Sequence, residues 1–316
     1  MCKLKSGIVL RDRIFLPEYD SHTDMLDELG IEDNYLNATK TFVRFEYSPL
    51  DNDVFTPVTE WHLRIDQDII PDWFDEKKYL PRIVEAVEKW AETHIHIGVN
   101  NLKINSGENH HIKDCKNVEI CGSATVKNIC DSATVKYIRG SATVEYICDS
   151  ATVKNICDSA TVKNIYGSAT VEYIYGSATV KNICGSATVK NICDSATVKY
   201  IRGSATVEYI CGSATVEYIC DSATVKNICD SATVKNICDS ATVKNIYGSA
   251  TVEYIYGSAT VKNAKGFAVI SSSRCTNWKN KSGLILAENA TFRDCLTKTI
   301  YQSGDWKLCK YEGEIK

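Results

Sequence analysis

The chain has 316 residues, a formal net charge of −4 and an isoelectric point near 5.9. This length allows one long domain or two to three ordinary ones, and the mild acidity argues against a nucleic-acid-binding protein, which would usually be strongly basic. No apolar stretch approaches ~18 residues, and Arg11, Asp12 and Arg13 interrupt the first apolar run too early for a signal peptide. We therefore expect no membrane association and a cytoplasmic location, in a bacterium or a phage-infected host cell.

The sequence pattern of residues 1–97 is typical of a small mixed α+β domain. The segment from Ile8 to Leu16 is apolar and rich in β-favouring residues. A short helix is predicted from His22 to Leu29, with Ser21 or Thr23 as N-cap and Gly30 as its stop. The sequence patterns that predict these elements are not repeats of one another, as is usual in an ordinary globular domain.

Two further strands and one long helix are predicted in the same domain. Residues 43–47 and 61–65 alternate apolar with polar side chains, which is the period of a half-buried strand. Residues 80–90 place apolar side chains on one helical face. Pro81 would suit the first turn of that helix, which is predicted to end near Thr93.

A nine-residue sequence repeat occupies most of the rest of the chain. Degenerate β-rich segments begin at residue 98. From 122 to 265 the unit [G/D]-S-A-T-V-[K/E]-[N/Y]-I-[C/Y/R] occurs sixteen times, and its last copy decays to Asn263-Ala264-Lys265. We number its positions one to nine, from Gly or Asp to Cys, Tyr or Arg. Residues 98–270 are therefore predicted to be one repeat domain and 271–316 its C-terminal cap, because terminal repeats must close an open core.

The invariant letters of the unit predict its fold. Ala, Val and Ile at positions three, five and eight point inward, whereas positions six and seven are adjacent outward residues that mark a bend. One unit buries too little to fold alone, so copies must stack. We predict a mainly β fold, a parallel β-solenoid with two units per 18-residue coil, about eight coils long or on the order of 38 Å. The rival is an antiparallel meander, which Gly-Ser and Asp-Ser turns favour only weakly.

The array resembles the nonapeptide-type β-solenoids, and the whole chain is similar to uncharacterised bacterial and phage tandem-repeat proteins that place a small domain before such a tract. That resemblance implies an architecture and no activity. The calcium-binding nonapeptide proteins carry a G-G-x-G-x-D pattern. Here Asp stands at position one of seven units and Gly at the other nine, with no second Gly, so a calcium roll is not predicted.

The cysteines allow three interpretations. The chain has 15 of them, and nine occupy position nine of the repeat. A stacked column would bring neighbouring Cα atoms into disulfide range, but a ladder spreads thiolates along a line, which disfavours a metal site. Tyr or Arg replaces Cys in other units. We therefore expect reduced, half-exposed thiols.

One group of residues has the composition of a metal site without the spacing of a closed zinc motif. The candidate ligands are His94, His96, His110, His111 and Cys115. An acidic group at 66–76 is interpreted as a solvated loop and helix start. The sequence contains no nucleophile elbow, phosphate loop or dinucleotide fingerprint, so no catalytic residue, metal or cofactor is predicted.

We predict a non-enzymatic interaction protein, a rigid rod with an N-terminal adaptor domain and a protein partner. Tyr and Arg at variable outward positions are the candidate binding residues, because both types are enriched in binding hot spots. They are Tyr137, Arg139, Tyr146, Tyr166, Tyr173, Tyr175, Tyr200, Arg202, Tyr209, Tyr218, Tyr247, Tyr254 and Tyr256.

Three alternatives stay open for the function. The chain could be a phage or mobile-element protein that inhibits a host complex by surface binding. It could be a small enzyme in residues 1–97 with an oligomerising repeat tail, or an extracellular adhesin. Self-association through the end or a face of the solenoid is also compatible with the pattern.

Overall fold

The fold is described from a computed structural model, for residues 5–272, 285–286, 290–294, 299–302 and 309–310. The chain divides into two compact units. The first contains the chain up to Ile97 together with Gly107–Lys113, and the second contains Gly98–Ser106 and the chain from Asp114 onward.

The first unit combines an antiparallel sheet with three helices. Its elements are β1 (Lys5–Val9), β2 (Ile14–Phe15), α1 (His22–Glu28), α2 (Tyr35–Lys40), β3 (Val43–Ser48), a short 3₁₀ helix (Val58–Glu60), β4 (His62–Ile65), α3 (Glu76–His94), β5 (Ile95–Ile97) and β7 (His110–Lys113). The sheet order is β2-β1-β3-β4. Strands β5 and β7 pair with each other in parallel.

Local signals explain most of these boundaries. The Ser21 side chain caps α1 by accepting a hydrogen bond from the Asp24 amide, as predicted, and Gly30 follows the helix at a φ of 64°. The apolar segment from Ile8 to Leu16 contains the end of β1 and all of β2, which pair antiparallel. The prediction for Pro81 was wrong: Asp75 caps α3, so the helix begins at Glu76 and Pro81 lies inside it.

The first unit buries large, unlike side chains. Helix α3 contributes Tyr79, Ile83, Val87 and Trp90 to a core that also contains Phe45 and Trp61. A second cluster holds Met25 and Leu26 of α1 against Ile8 and Phe42. The alternation predicted for 43–47 and 61–65 therefore corresponds to real strands, β3 and β4.

The second unit is a ladder of short, nearly identical strands. Before the array come β6 (Lys103–Ile104) and β8 (Val118–Ile120). The strands β9 to β24 of the array are Thr125–Cys130, Thr134–Ile138, Thr143–Ile147, Thr152–Ile156, Thr161–Ile165, Thr170–Ile174, Thr179–Ile183, Thr188–Ile192, Thr197–Ile201, Thr206–Ile210, Thr215–Ile219, Thr224–Ile228, Thr233–Ile237, Thr242–Ile246, Thr251–Ile255 and Thr260–Ala264.

Consecutive repeat units lie alternately in two different sheets. Strand β10 pairs in parallel with β12, with Thr134 opposite Thr152 and Ile138 opposite Ile156, so one coil is 18 residues long. The even-numbered strands from β6 to β24 lie in one sheet, and the odd-numbered strands from β9 to β23 lie in the other. The predicted parallel β-solenoid is thus confirmed, with two units per coil, and the antiparallel meander is wrong.

The strands after the array include both parallel and antiparallel pairs. They are β25 (Val269–Ser272), β26 (Ile285–Leu286), β27 (Thr291–Asp294), β28 (Thr299–Gln302) and β29 (Cys309–Lys310). Strand β27 pairs in parallel with β25, but β28 and β29 pair antiparallel. The remaining residues of the predicted cap, 271–316, lie outside the described part of the chain.

Candidate functional site

The repeat separates a fixed interior from a variable exterior. In the described rungs, Ala at position three, Val at position five and Ile at position eight are buried almost completely. Each Val and Ile stacks on the same residue of the next coil. Since these columns do not depend on positions six, seven and nine, the exterior can change without altering the core.

Position seven forms one column on each broad face. We name the face of the even-numbered array strands the Tyr137 face, and that of the odd-numbered ones the Tyr146 face. On the Tyr137 face, Tyr137, Tyr173 and Tyr209 alternate with Asn155 and Asn191 along consecutive rungs. These three tyrosines are 36%, 44% and 40% exposed.

The asparagines of these columns close the bend between positions six and seven. Where Tyr stands in the rung before, the Asn side chain donates to the position-six carbonyl of that rung, as Asn155 does to Lys136 at 3.2 Å. Where Asn stands there, the amides form a ladder, as Asn182 does with Asn164 at 2.9 Å. Position seven therefore has a structural task wherever Asn occupies it.

The Tyr146 face is less regular. Tyr146 and Tyr254 are exposed, but Tyr200 and Tyr218 stack on each other with ring centroids 5.1 Å apart and are half-buried. A stacked pair already buries part of the surface that it could offer to a partner. Arg202 lies over the Tyr200 ring, at 5.9 Å from its centroid.

Position six gives the two faces different charge. The Tyr137 face carries six lysines and two glutamates, and the Tyr146 face five lysines and three glutamates. Some pair between coils, such as Lys226 with Glu208 at 2.8 Å and Lys163 with Glu145 at 2.8 Å. Such exposed pairs contribute little to stability, but the surplus of lysine leaves the Tyr137 face the more basic one.

Position nine forms a column at each corner of the coil. Its cysteines are more buried than predicted: Cys130, Cys148, Cys157, Cys229 and Cys238 are buried and the others half-buried. Strand alternation predicts an outward thiol, but the alternation ends at the corner. The backbone hydrogen bonds between coils continue there, as in the bond from the Cys148 amide to the Ile129 carbonyl. The neighbouring coil therefore covers the small cysteine side chain.

The predicted binding tyrosines at position nine are also covered. Each of four tyrosines follows a cysteine one coil earlier, and its hydroxyl interacts electrostatically with that cysteine; the four are Tyr166, Tyr175, Tyr247 and Tyr256. Burial, with the hydrogen bond to Cys229, raises the pKa of Tyr247 to about 12. Except for Tyr166, which is 37% exposed, these side chains are half-buried.

Position one, where Gly or Asp followed by Ser predicts a turn, also requires a positive φ that was not predicted. In all sixteen units its φ is positive, from 53° to 57° for Asp and from 62° to 70° for Gly. A Cβ on Gly167 would lie 2.8 Å from the Asp149 amide nitrogen, so the coils approach closely here. The signal was present in the alternation of only Gly and Asp, two residue types that tolerate this conformation.

The predicted metal candidates are only partly brought together. The His110 ring stacks on the rings of both His94 and His96, with centroids 5.1 Å and 5.6 Å away. His94 also contacts Glu18 at 2.6 Å. Burial, then the neighbouring His110 and His94, lowers the pKa of His96 to about 4.

Two of those candidates lie elsewhere. His111 packs edge-on against Phe55, and Cys115 is buried in the second unit, where its carbonyl accepts from the Thr134 amide. Within the described residues, this histidine group does not bring three donor atoms within 4.8 Å of one another.

The acidic group at 66–76 has structural partners. His22 is buried and bonds Asp66 through Nδ1 and the Phe45 carbonyl through Nε2, both at 3.1 Å. Asp75 caps α3. Asp66 and Asp68 line a cleft of about 400 Å³ with Arg44. The interpretation as a loop and helix start thus describes Asp75 and Glu76, whereas Asp66 holds a buried histidine.

Searches against protein-family models, curated proteins and solved structures returned no match to this chain. Among the described helices, none is long and apolar enough to cross a membrane. A solenoid of this kind is compatible with a structural or interaction role and is typical of non-enzymatic repeat proteins.

Proposed function

We propose that the chain is a non-enzymatic interaction protein whose solenoid offers the Tyr137 face to a protein partner. The observation that carries this proposal is the row of Tyr137, Tyr173 and Tyr209. They recur at every second rung, roughly 9.6 Å apart at ~4.8 Å per strand. All three are exposed, as the binding tyrosines of an interface must be before the partner arrives.

The surroundings of the row define the partner's chemistry. Six lysines against two glutamates favour a partner with acidic side chains, since complementary charge speeds association and selects partners. The asparagines between the tyrosines are engaged in bonds along the ladder and leave the rings separated. The surface is therefore a periodic series of aromatic and basic groups on a rigid support.

The N-terminal residues 1–97 would act as the adaptor that connects this rod to a second component. We assign the chain to a reducing compartment, the cytoplasm of a bacterium or of a phage-infected cell, where a phage-encoded inhibitor would also act. Mass analysis of the chain from cells without reductant tests this assignment. A fully bridged cysteine ladder would contradict it.

The binding proposal is tested by exchanging Tyr for Asn at 137, 173 and 209 together. Asn stands at this position in neighbouring rungs and bonds the ladder there, so the substitution keeps the fold. The matched control exchanges Tyr146, Tyr200 and Tyr254 on the other face. Capture from cell extract should lose a stoichiometric partner with the first variant and keep it with the second.

Two results would overturn the proposal. Equal capture by both triple variants would show that the Tyr137 face does not bind. Recovery of the chain alone, at a mass that is a multiple of its own, would replace the protein partner with self-association.

A further inference from the structure

The position-nine columns contain a composite of four side chains that recurs three times. In each copy, two cysteines stack in consecutive coils, an Asp follows the second cysteine directly, and a Tyr lies one coil later. The copies are Cys130, Cys148, Asp149 and Tyr166; Cys211, Cys229, Asp230 and Tyr247; and Cys220, Cys238, Asp239 and Tyr256.

Three potential metal ligands converge in every copy. The two sulfur atoms and one carboxylate oxygen lie within 4.8 Å of one another. A plain ladder would spread thiols along a line, but the Asp at the corner adds a donor beside the second thiol. In a tetrahedral zinc site, with a Zn–S distance of about 2.3 Å and a Zn–O distance of about 2.0–2.2 Å, donors to one ion lie roughly 3.5–3.8 Å apart, up to about 1 Å closer than the 4.8 Å limit found here. A small side-chain rotation closes the difference.

Hydrogen bonds already orient this ligand set. Asp230 accepts from the Gly212 amide at 3.0 Å and Asp239 from the Asp221 amide at 3.3 Å. The neighbouring hydroxyls of Tyr166, Tyr247 and Tyr256 favour the thiolate form of the second cysteine, although burial raises the pKa of Cys229 and Cys238 on balance. Outer partners of this kind fix and tune metal ligands in known sites.

The other cysteines of the array lack one or more of these parts. Cys193 stacks below Cys211, but Gly212 takes the place of the Asp. Cys184 lies between Tyr166 and Arg202 in its column. Of the described groups with three donors within 4.8 Å, all coincide with the sequence pattern C-x17-C-D.

We propose that each composite binds one thiophilic divalent cation of the zinc class through two thiolates and one carboxylate. Water or a side chain of a partner would supply the fourth position of a tetrahedral shell. Binding converts two thiols to thiolates and releases their protons. The solenoid would thus carry up to three ions, two at one corner and one at the other.

Protonation sets the conditions for the measurement. Burial raises the pKa of Cys211 to about 12, with Cys193, Cys229 and Asp230 facing it. Burial likewise raises the pKa of Cys238 to about 12, with Cys220, Tyr256 and Asp239 facing it. Protons therefore compete with the metal, and a mildly alkaline buffer favours binding.

The probe is Co²⁺, added to the full chain without oxygen and with a phosphine reductant. Thiolate-to-cobalt charge-transfer absorption should saturate at three ions per chain and disappear on addition of Zn²⁺. Cys229→Ser should lower the stoichiometry from three to two. The control Cys184→Ser, which changes a cysteine outside every composite, should leave it at three.

A gain of binding tests the proposal without loss of a native residue. Cys157, Asp158 and Tyr175 already form the upper part of a composite, and Arg139 stands where its first cysteine would be. Arg139→Cys should raise the stoichiometry from three to four. Three results would overturn the proposal. The charge-transfer absorption could be absent, or Arg139→Cys could leave it unchanged. Alternatively, Cys229→Ser and Cys184→Ser could reduce it equally.

Discussion

In the first unit, the main core joins ten buried residues that include two tryptophans and two tyrosines, each in surroundings of its own. In the sixteen repeat units, the described core consists of Ala, Val and Ile rung after rung, and it holds no side chain larger than Ile. A unique core concentrates its stability in a few large contacts. A repeated core distributes it over many small interfaces between neighbouring coils.

This difference bears on how each region can change. Substitution of Trp61 or Phe45 removes a contact that no other residue duplicates. Within the array, a coil contacts only the coils before and after it, so the same interface recurs along the column. The exterior of the solenoid is consequently the region in which new surfaces can arise at least cost to folding.

The largest expected effect compares one substitution in both regions. Ile83→Ala and Ile192→Ala each create a cavity in a fully buried position and should each cost about 2–5 kcal/mol locally. Hydrogen exchange separates the outcomes. Ile83→Ala should accelerate exchange across β1, β3 and β4 together, whereas Ile192→Ala should accelerate it mainly in the adjoining rungs that contain Ile174 and Ile210.

The control is Ile192→Val, which removes a single methylene and should cost about 0.5–1.5 kcal/mol without changing which rungs respond. Equal acceleration along the whole solenoid after Ile192→Ala would contradict the distributed core. It would mean that the array unfolds as a single cooperative body.

The fold could be predicted from the sequence because the inward residues of the repeat are constant, apart from Ala264 at position eight of the last unit. The fixed spacing of Ala, Val and Ile predicts both the strand and the bend that follows it. A unit of nine residues also allows two copies per coil. The register of 18 residues then places Tyr137, Tyr173 and Tyr209 on one face. No such regularity exists in the first unit, and α2 there was not predicted.

The corners were harder to predict because strand alternation stops there. Cys148 counts as outward by alternation, yet the next coil covers it. Asp158 counted as a freely varying surface residue, yet it holds a positive φ and bonds the coil before it. Both features depend on contacts between residues 18 apart, which a single unit does not contain.

The second prediction concerns this corner. Asp158 combines a φ of 57° with a hydrogen bond from the Gly140 amide to its Oδ2 at 3.0 Å. Asp158→Ala loses the bond and keeps the strained backbone, whereas Asp158→Gly loses the bond and relieves the strain. The Ala variant should therefore be less stable than the Gly variant by about 1–2 kcal/mol, measured by denaturant unfolding.

Asp158→Asn provides the control, because its side-chain oxygen still accepts a hydrogen bond and Asn tolerates positive φ. It should remain closest to the wild type. If Ala and Gly at this position proved equally stable, the hydrogen bond from the Gly140 amide and not backbone conformation would determine the choice of residue.

The smallest expected effect tests whether the polar exterior of the solenoid also belongs to the repeated interface. Asn182 is buried and donates to Asn164 at 2.9 Å in the coil before. Asn182→Ala should cost about 1 kcal/mol, the usual net value of one hydrogen bond, in the same unfolding measurement. Lys181→Ala, at an exposed position of the same strand, should stay within about 0.5 kcal/mol of the wild type. If both variants were neutral, the asparagine ladder would be a by-product of stacking, and the apolar columns alone would hold neighbouring coils together.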